Sequence, residues 1–168
     1  ILDPERSYGL SPFLATRPGV DSGYMLAQYT AAALVAENRV LSHPASVESI
    51  PTSGSQEDHV SMGTIAARKG RTIVDNARDV VAIELLCAAQ ALDLFTNLKP
   101  GRGNRAAYDV IRQTIDHLET DRILAEDIVG LLYRIEERGQ AGGATLAEVR
   151  GILFADRFSL RVVLFWLR

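Results

Sequence analysis

The sequence predicts an all-α protein, a bundle of long helices, and three observations lead there. Apolar residues recur at the i, i+3, i+4, i+7 spacing of a helix through several separate segments. No segment shows the period-two alternation of a half-buried strand. Breakers such as His43-Pro44, Lys99-Pro100-Gly101 and Gln140-Ala141-Gly142-Gly143 fall between the periodic segments and divide them.

In order, Ile1 to Asp21 carries Pro4, Pro12 and Pro18, each biasing its predecessor away from helix, so an extended irregular segment is expected. Leu10, Phe13 and Leu14 are its candidate anchors. Asp21 or Ser22 is the expected N-cap of a first helix running to about Leu41, with Leu26, Tyr29, Ala33, Ala36 and Val40 as its buried stripe. Met25, Ala32 and Val35 make the other side apolar too, and a helix apolar nearly all round is one surrounded by other protein. His43-Pro44 ends it, and a proline- and serine-rich loop follows to Ser55. A second helix is expected from near Gln56 to Phe95, about 60 Å if unbroken, with possible bends at Gly63 and Gly70. Its stripe is Ile73, Ala77, Val81, Leu85, Ala88 and Leu92. Asn104 can cap a third helix reaching Leu118. A fourth, Ala125 to Arg138, uses Ile128, Leu131, Leu132 and Ile135. Thr145-Leu146-Ala147-Glu148 fits a capping box for a short last helix, and the apolar tail from Phe154 to Arg168 calls for a partner surface.

The 168 residues, 47% hydrophobic and 23% charged, are one domain's worth of chain with enough apolar surface for a core. A net charge of −3 and a pI near 5.6 argue against nucleic-acid or anionic-membrane partners, which call for a concentrated basic face. The single Cys87 excludes an internal disulfide and a multi-cysteine zinc site, and suits a reducing cytoplasm. Cys87 reads as a buried small hydrophobe rather than a reactive thiol, having no basic neighbour in sequence. The longest strictly apolar run of the first helix, Ala31 to Ala36, is far below the ~18 residues of a membrane span. The sequence starts at Ile1 without methionine, so a processed product, a split subunit or a fragment of a longer protein is expected.

The stretch Thr52 to Met62 is the most informative. Gln56, Glu57, Asp58 and His59 are expected where loop becomes helix, beside free N–H groups and a partial positive charge. Ser53 or Ser55 as N-cap, with Gln56 or Asp58 three residues on, would explain them as capping. The long loop ahead, of a kind disproportionately functional, makes chemistry a competing explanation. Metal binding is disfavoured: His43, His59 and His117 are scattered, and Glu57, Asp58 and His59 on a helix would diverge by about 100° each. There is no HExxH, EF-hand, phosphate-binding, dinucleotide or G-x-S-x-G motif. Tyr8, Tyr24 and Tyr29 are not distinguishable from packing residues.

The runs Ser22-Gly23-Tyr24-Met25, Ala31 to Asn38, His43 to Val47, Pro51-Thr52-Ser53 and Gln56 to Met62 closely resemble the C-terminal half of the histidine ammonia-lyases. Leu10 to Leu14, Ala82 to Leu86 and Ala89 to Asp93 add to the likeness, which covers roughly residues 1–128. The resemblance implies the C-terminal part of the ammonia-lyase/fumarase-like helical fold over residues 1–138. Residues 139–168 are then a flexible link, a short helix and an apolar tail with no assigned role. It implies a carbon-nitrogen lyase of histidine catabolism, converting L-histidine to trans-urocanate and ammonia. Such enzymes use a methylidene-imidazolone group formed from an internal Ala-Ser-Gly, which is absent from this sequence. The chain alone is therefore expected to be inactive and to need the N-terminal portion of the same enzyme, in a cytoplasmic homotetramer with active sites shared between subunits. Glu57 matches the family glutamate facing substrate and prosthetic group, and Gln56 stands beside it. That makes Glu57 the implied catalytic residue and Gln56 and Glu57 the implied substrate-binding pair, with no metal. Related lyases of phenylalanine or tyrosine resemble Asn-Gln-Asp at Gln56-Glu57-Asp58, so Glu57 favours histidine. Asp58 and His59 are expected to hold the helix start in place. The alternatives are a non-catalytic helical interaction module derived from such an enzyme, or a lyase of another aromatic amino acid.

Overall fold

A computed structural model of the chain describes residues 2–3, 5–7, 9–95 and 99–140. Its helices are α1 (Met25–Leu41), α2 (Gly63–Leu94), α3 (Arg102–Arg112) and α4 (Leu124–Gln140), with 3-10 turns at Pro12–Leu14, Ala45–Glu48 and Ser53–Ser55. The described residues contain no strand, only isolated bridges pairing Pro18 with Asp21 and Thr52 with Glu57. The fold is all-α. Among the described residues no helix is long and apolar enough to cross a membrane. The short helix expected at Thr145 and the tail from Phe154 lie outside the described residues.

The chain divides into two compact units, one formed by residues up to Leu26 together with those from Glu84 onward, the other by Ala27–Ile83. In the first, the irregular N-terminal segment is anchored as its apolar residues require. Leu10, Leu14 and Ala15 are buried, as is Tyr24 ahead of α1, while Phe13 is half-buried. α2 adds Leu86, Cys87, Ala89 and Ala91, α3 adds Ile111, α4 adds Leu131, and Ile115 and Leu118 come from the irregular stretch after α3. Burial pushes the Cys87 thiol up to about 12, the behaviour of an inert core group. Gly23 is required by close approach: its φ is +56°, and a Cβ there would sit 2.6 Å from the carbonyl oxygen of Phe13. That same oxygen accepts the N–H of Tyr24 at 2.9 Å.

The entry to α1 is not capped as the sequence suggests. Asp21 is engaged by Arg17, at 2.8 Å. The Asp121 carboxylate, distant in sequence, accepts the N–H of Ser22 at 2.9 Å and of Gly23 at 2.9 Å. Hydrogen bonds from Ser22 first, then Gly23, hold the Asp121 carboxyl below its ordinary range. α3 is also shorter than its apolar spacing suggests, starting after Gly101 and ending at Arg112 instead of Leu118. Arg112 explains the stop, because its Nη1 donates to the carbonyls of Ile115 at 3.0 Å and Asp116 at 3.1 Å and folds the chain back. Ile115 and Leu118 stay buried without being helical.

In the Ala27–Ile83 unit, buried Asn76 on α2 donates through Nδ2 to Glu37 Oε2 at 2.8 Å and to Asn38 Oδ1 at 3.0 Å, both on α1. Asn38 Nδ2 donates to the Ile73 carbonyl at 3.4 Å, and Lys69 donates to the carbonyl of His43. The expected α1 stripe is not the buried one: Leu26, Tyr29 and Val40 are 65%, 70% and 75% exposed, and Ala27 is the buried residue of the helix. Where a helix is apolar on every side, periodicity cannot tell which side the chain itself covers.

Candidate functional site

The candidate site residues Gln56 and Glu57 do not open a helix. α2 begins at Gly63, and the stretch before it is a closed turn followed by irregular chain. Thr52 and Glu57 pair as in an antiparallel ladder: Thr52 N–H donates to the Glu57 carbonyl at 2.9 Å, and Glu57 N–H donates back to the Thr52 carbonyl at 3.3 Å. Between them Ser53, Gly54 and Ser55 have φ of 54°, 63° and 68°, a left-handed run that a helical first turn cannot contain. Neither serine caps a helix. The Gln56 N–H donates to the Ser53 carbonyl at 3.3 Å, which closes the turn on itself. Met62, with φ of 53°, is the last irregular residue, and its carbonyl accepts the Ala66 N–H at 3.0 Å as α2 starts.

The side chains follow from that backbone. In a hydrogen-bonded antiparallel pair the two side chains stand on one side, and the Thr52 hydroxyl donates to Glu57 Oε2 at 2.9 Å. The Val60 N–H donates to Ser49 Oγ at 2.7 Å, tying the far end of the stretch to the loop before it. Gln56, Glu57, Asp58 and His59 are all exposed. A cavity of about 290 Å³ is lined by Pro12, Phe13, Val20 and Met25 among others, and Gln56 and Glu57 are not among its walls. Among the described residues Glu57 thus has a fixed partner and an exposed side chain. The Thr52–Glu57 pairing escapes helix-based reading. Its signal is turn chemistry, since Ser-Gly-Ser is a natural place for left-handed backbone.

A second polar cluster joins residues the sequence reading leaves apart. Gln90 on α2, 0% exposed, donates through Nε2 to the Leu118 carbonyl at 3.0 Å and accepts the Leu118 N–H through Oε1 at 3.0 Å. One turn on, Asp93 Oδ2 accepts Arg112 Nη2 at 2.6 Å and lies 2.9 Å from His117 Nδ1, while Tyr108 donates its hydroxyl to Oδ1. Burial pushes the Asp93 carboxyl up. The hydrogen bonds from Tyr108, His117 and Arg112, with the guanidinium charge, outweigh it and leave Asp93 below its ordinary range. The cluster binds α2, α3 and the chain after α3 to one another.

Comparison with known proteins sets these features in a family. The sequence model described as aromatic amino acid lyase matches residues 1–113. The chain belongs to that family. The histidine ammonia-lyase of Gloeobacter violaceus is 59% identical over 128 residues, covering 76% of this chain and 25% of that protein. The crystal structure of histidine ammonia-lyase from Trypanosoma cruzi superposes with a TM-score of 0.77 at 40% identity, over 82% of this chain and 27% of that one. Tyrosine aminomutase from Streptomyces globisporus gives 0.74 at 41% identity, over 83% and 26%. This chain therefore spans about a quarter of the length of the relatives it matches.

Proposed function

We propose that this chain is the C-terminal part of a histidine ammonia-lyase, which breaks the C–N bond of L-histidine to release trans-urocanate and ammonia, and that Glu57 is its contribution to the reacting centre. The observation that carries the reading is the Gln56-Glu57-Asp58-His59 run in a chain of this family, 59% identical to a histidine ammonia-lyase. A carboxylate at position 57 can pair with the ammonium or imidazole of histidine or accept a proton, which a neutral amide there cannot. Gln56, beside it, takes part in holding the substrate.

The methylidene-imidazolone group of such enzymes supplies the electrophile. Its Ala-Ser-Gly precursor is not in this sequence, so the residues that would form it belong to the N-terminal portion of the same enzyme. The residues of this chain suit a role opposite such a group: Glu57 Oε2 is held by Thr52, while Oε1 makes no hydrogen bond to any described residue. The exposed Tyr29 and Val40 on α1 accord with a homotetramer in which other subunits cover them. The compartment proposed is the cytoplasm.

The test joins this chain to an Ala-Ser-Gly-bearing N-terminal portion and follows urocanate by its ultraviolet absorbance. The chain alone should give none. In the assembled enzyme Glu57→Ala should lower turnover at least ~10-fold, the low side of what a positioned proton-transfer group supplies; an unchanged rate removes Glu57 from the chemistry. Tyrosine as substrate tests the likeness to the aminomutase. The exposed apolar residues of α1 also favour a second reading, a non-catalytic interaction module. A chain that binds a partner protein but never restores lyase activity would establish it.

A further inference from the structure

We infer that Thr52 is a positioning residue for the reaction, acting through its hydroxyl on the Glu57 carboxylate. The inference rests on the proposed role of Glu57 and adds to it. The juxtaposition is built into the backbone. Thr52 and Glu57 exchange both of their N–H···O=C bonds, at 2.9 and 3.3 Å, around the left-handed turn Ser53-Gly54-Ser55. This pairing brings the two side chains to one side of the turn, and the Thr52 hydroxyl donates to Glu57 Oε2 at 2.9 Å.

A glutamate side chain has three rotatable bonds, and an exposed one samples many positions. One hydrogen bond to Oε2 restricts that freedom and leaves Oε1 as the oxygen directed elsewhere. Holding a reacting group ready avoids ordering it during the reaction, which is the usual source of a positioning effect. Other side chains near Glu57 do not supply this service among the described residues: Gln56, Asp58 and His59 make no hydrogen bond to it. The backbone bridge itself needs no particular side chain at position 52, so removing the hydroxyl leaves the turn in place.

The experiment uses the assembled enzyme, this chain with its Ala-Ser-Gly-bearing portion, and compares Thr52→Val, Thr52→Ser, Glu57→Ala and the Thr52→Val/Glu57→Ala double variant. Thr52→Val, close in shape but without the hydroxyl, should lower turnover about tenfold. Thr52→Ser should restore most of it. In the Glu57→Ala background Thr52→Val should change the rate less than about twofold, because a residue acting through Glu57 has nothing left to act on. A full effect persisting in that background, or no rescue by serine, overturns the inference, as does a normal rate in Thr52→Val while Glu57→Ala is impaired. If Glu57→Ala itself runs at the normal rate, the underlying reading has failed instead, and the inference falls with it.

Discussion

The Gln90–Asp93 cluster and the Thr52–Met62 stretch are both rich in polar side chains, and they differ in what completes them. Gln90 has no exposed surface, and its amide oxygen and nitrogen are matched to the N–H and carbonyl of Leu118. Asp93 is held by groups from α3 and from the chain beyond it. The partners of Gln90 and Asp93 named here all come from this chain. Glu57, by contrast, has one side-chain partner among the described residues and faces solvent. Polar groups that are buried and matched hold a fold, because unmatching them is costly. Polar groups held in strained backbone but left open are where a protein can meet something else.

Four measurements break or sharpen that contrast. The largest effect belongs to Gln90→Leu, which leaves the buried Leu118 N–H without its acceptor. Denaturant unfolding should show a loss of about 2–4 kcal/mol, from roughly 1–3 per unmatched group. Acid comes next. Asp93 and Asp121 are held below their ordinary range in the folded chain. The stability they contribute is therefore full above the unfolded carboxyl value near ~4 and is lost as pH falls through their lower folded values. A pH series of unfolding midpoints should fall below about pH 4, and Asp93→Asn should flatten that acid limb. Glu57→Ala should shift unfolding by less than about 0.5 kcal/mol, as an exposed side chain does, although it is proposed to impair turnover. The smallest effect belongs to Tyr24→Phe. The Tyr24 hydroxyl is buried with no hydrogen-bond partner among the described residues, and burial pushes its pKa up to about 12. Removing it should leave stability within about 0.5 kcal/mol or raise it slightly. A large loss would mean that the hydroxyl has a partner after all.

Much of the helical plan is legible in the residues. α1 ends at Leu41 ahead of His43-Pro44, α2 is long and continuous through Gly70, and α4 lies within two residues of its expected bounds. Leu10 and Leu14 are anchors, and Cys87 is a core residue. α2 starts at Gly63 and not near Gln56, although Gln56 to Met62 has acceptable first-turn composition. Composition does not register that Ser53, Gly54 and Ser55 adopt positive φ and that Thr52 and Glu57 close on each other. α3 stops at Arg112, short of the Leu118 that its spacing predicts, for a related reason: Ile115 and Leu118 are buried at helical spacing, but Arg112 binds the carbonyls that follow.

Taken by itself, the sequence determined what depends on neighbours along the chain: helix periodicity, the breaks at proline and glycine, and the residue run that marks the family. Only the tertiary structure decided what depends on residues far apart. Asp121 holds the entry to α1, and Gln90 and Asp93 gather Leu118, Arg112 and His117. The reason is that a hydrogen bond requires two groups within about 3 Å, and which groups come that close is settled by the folded path of the chain.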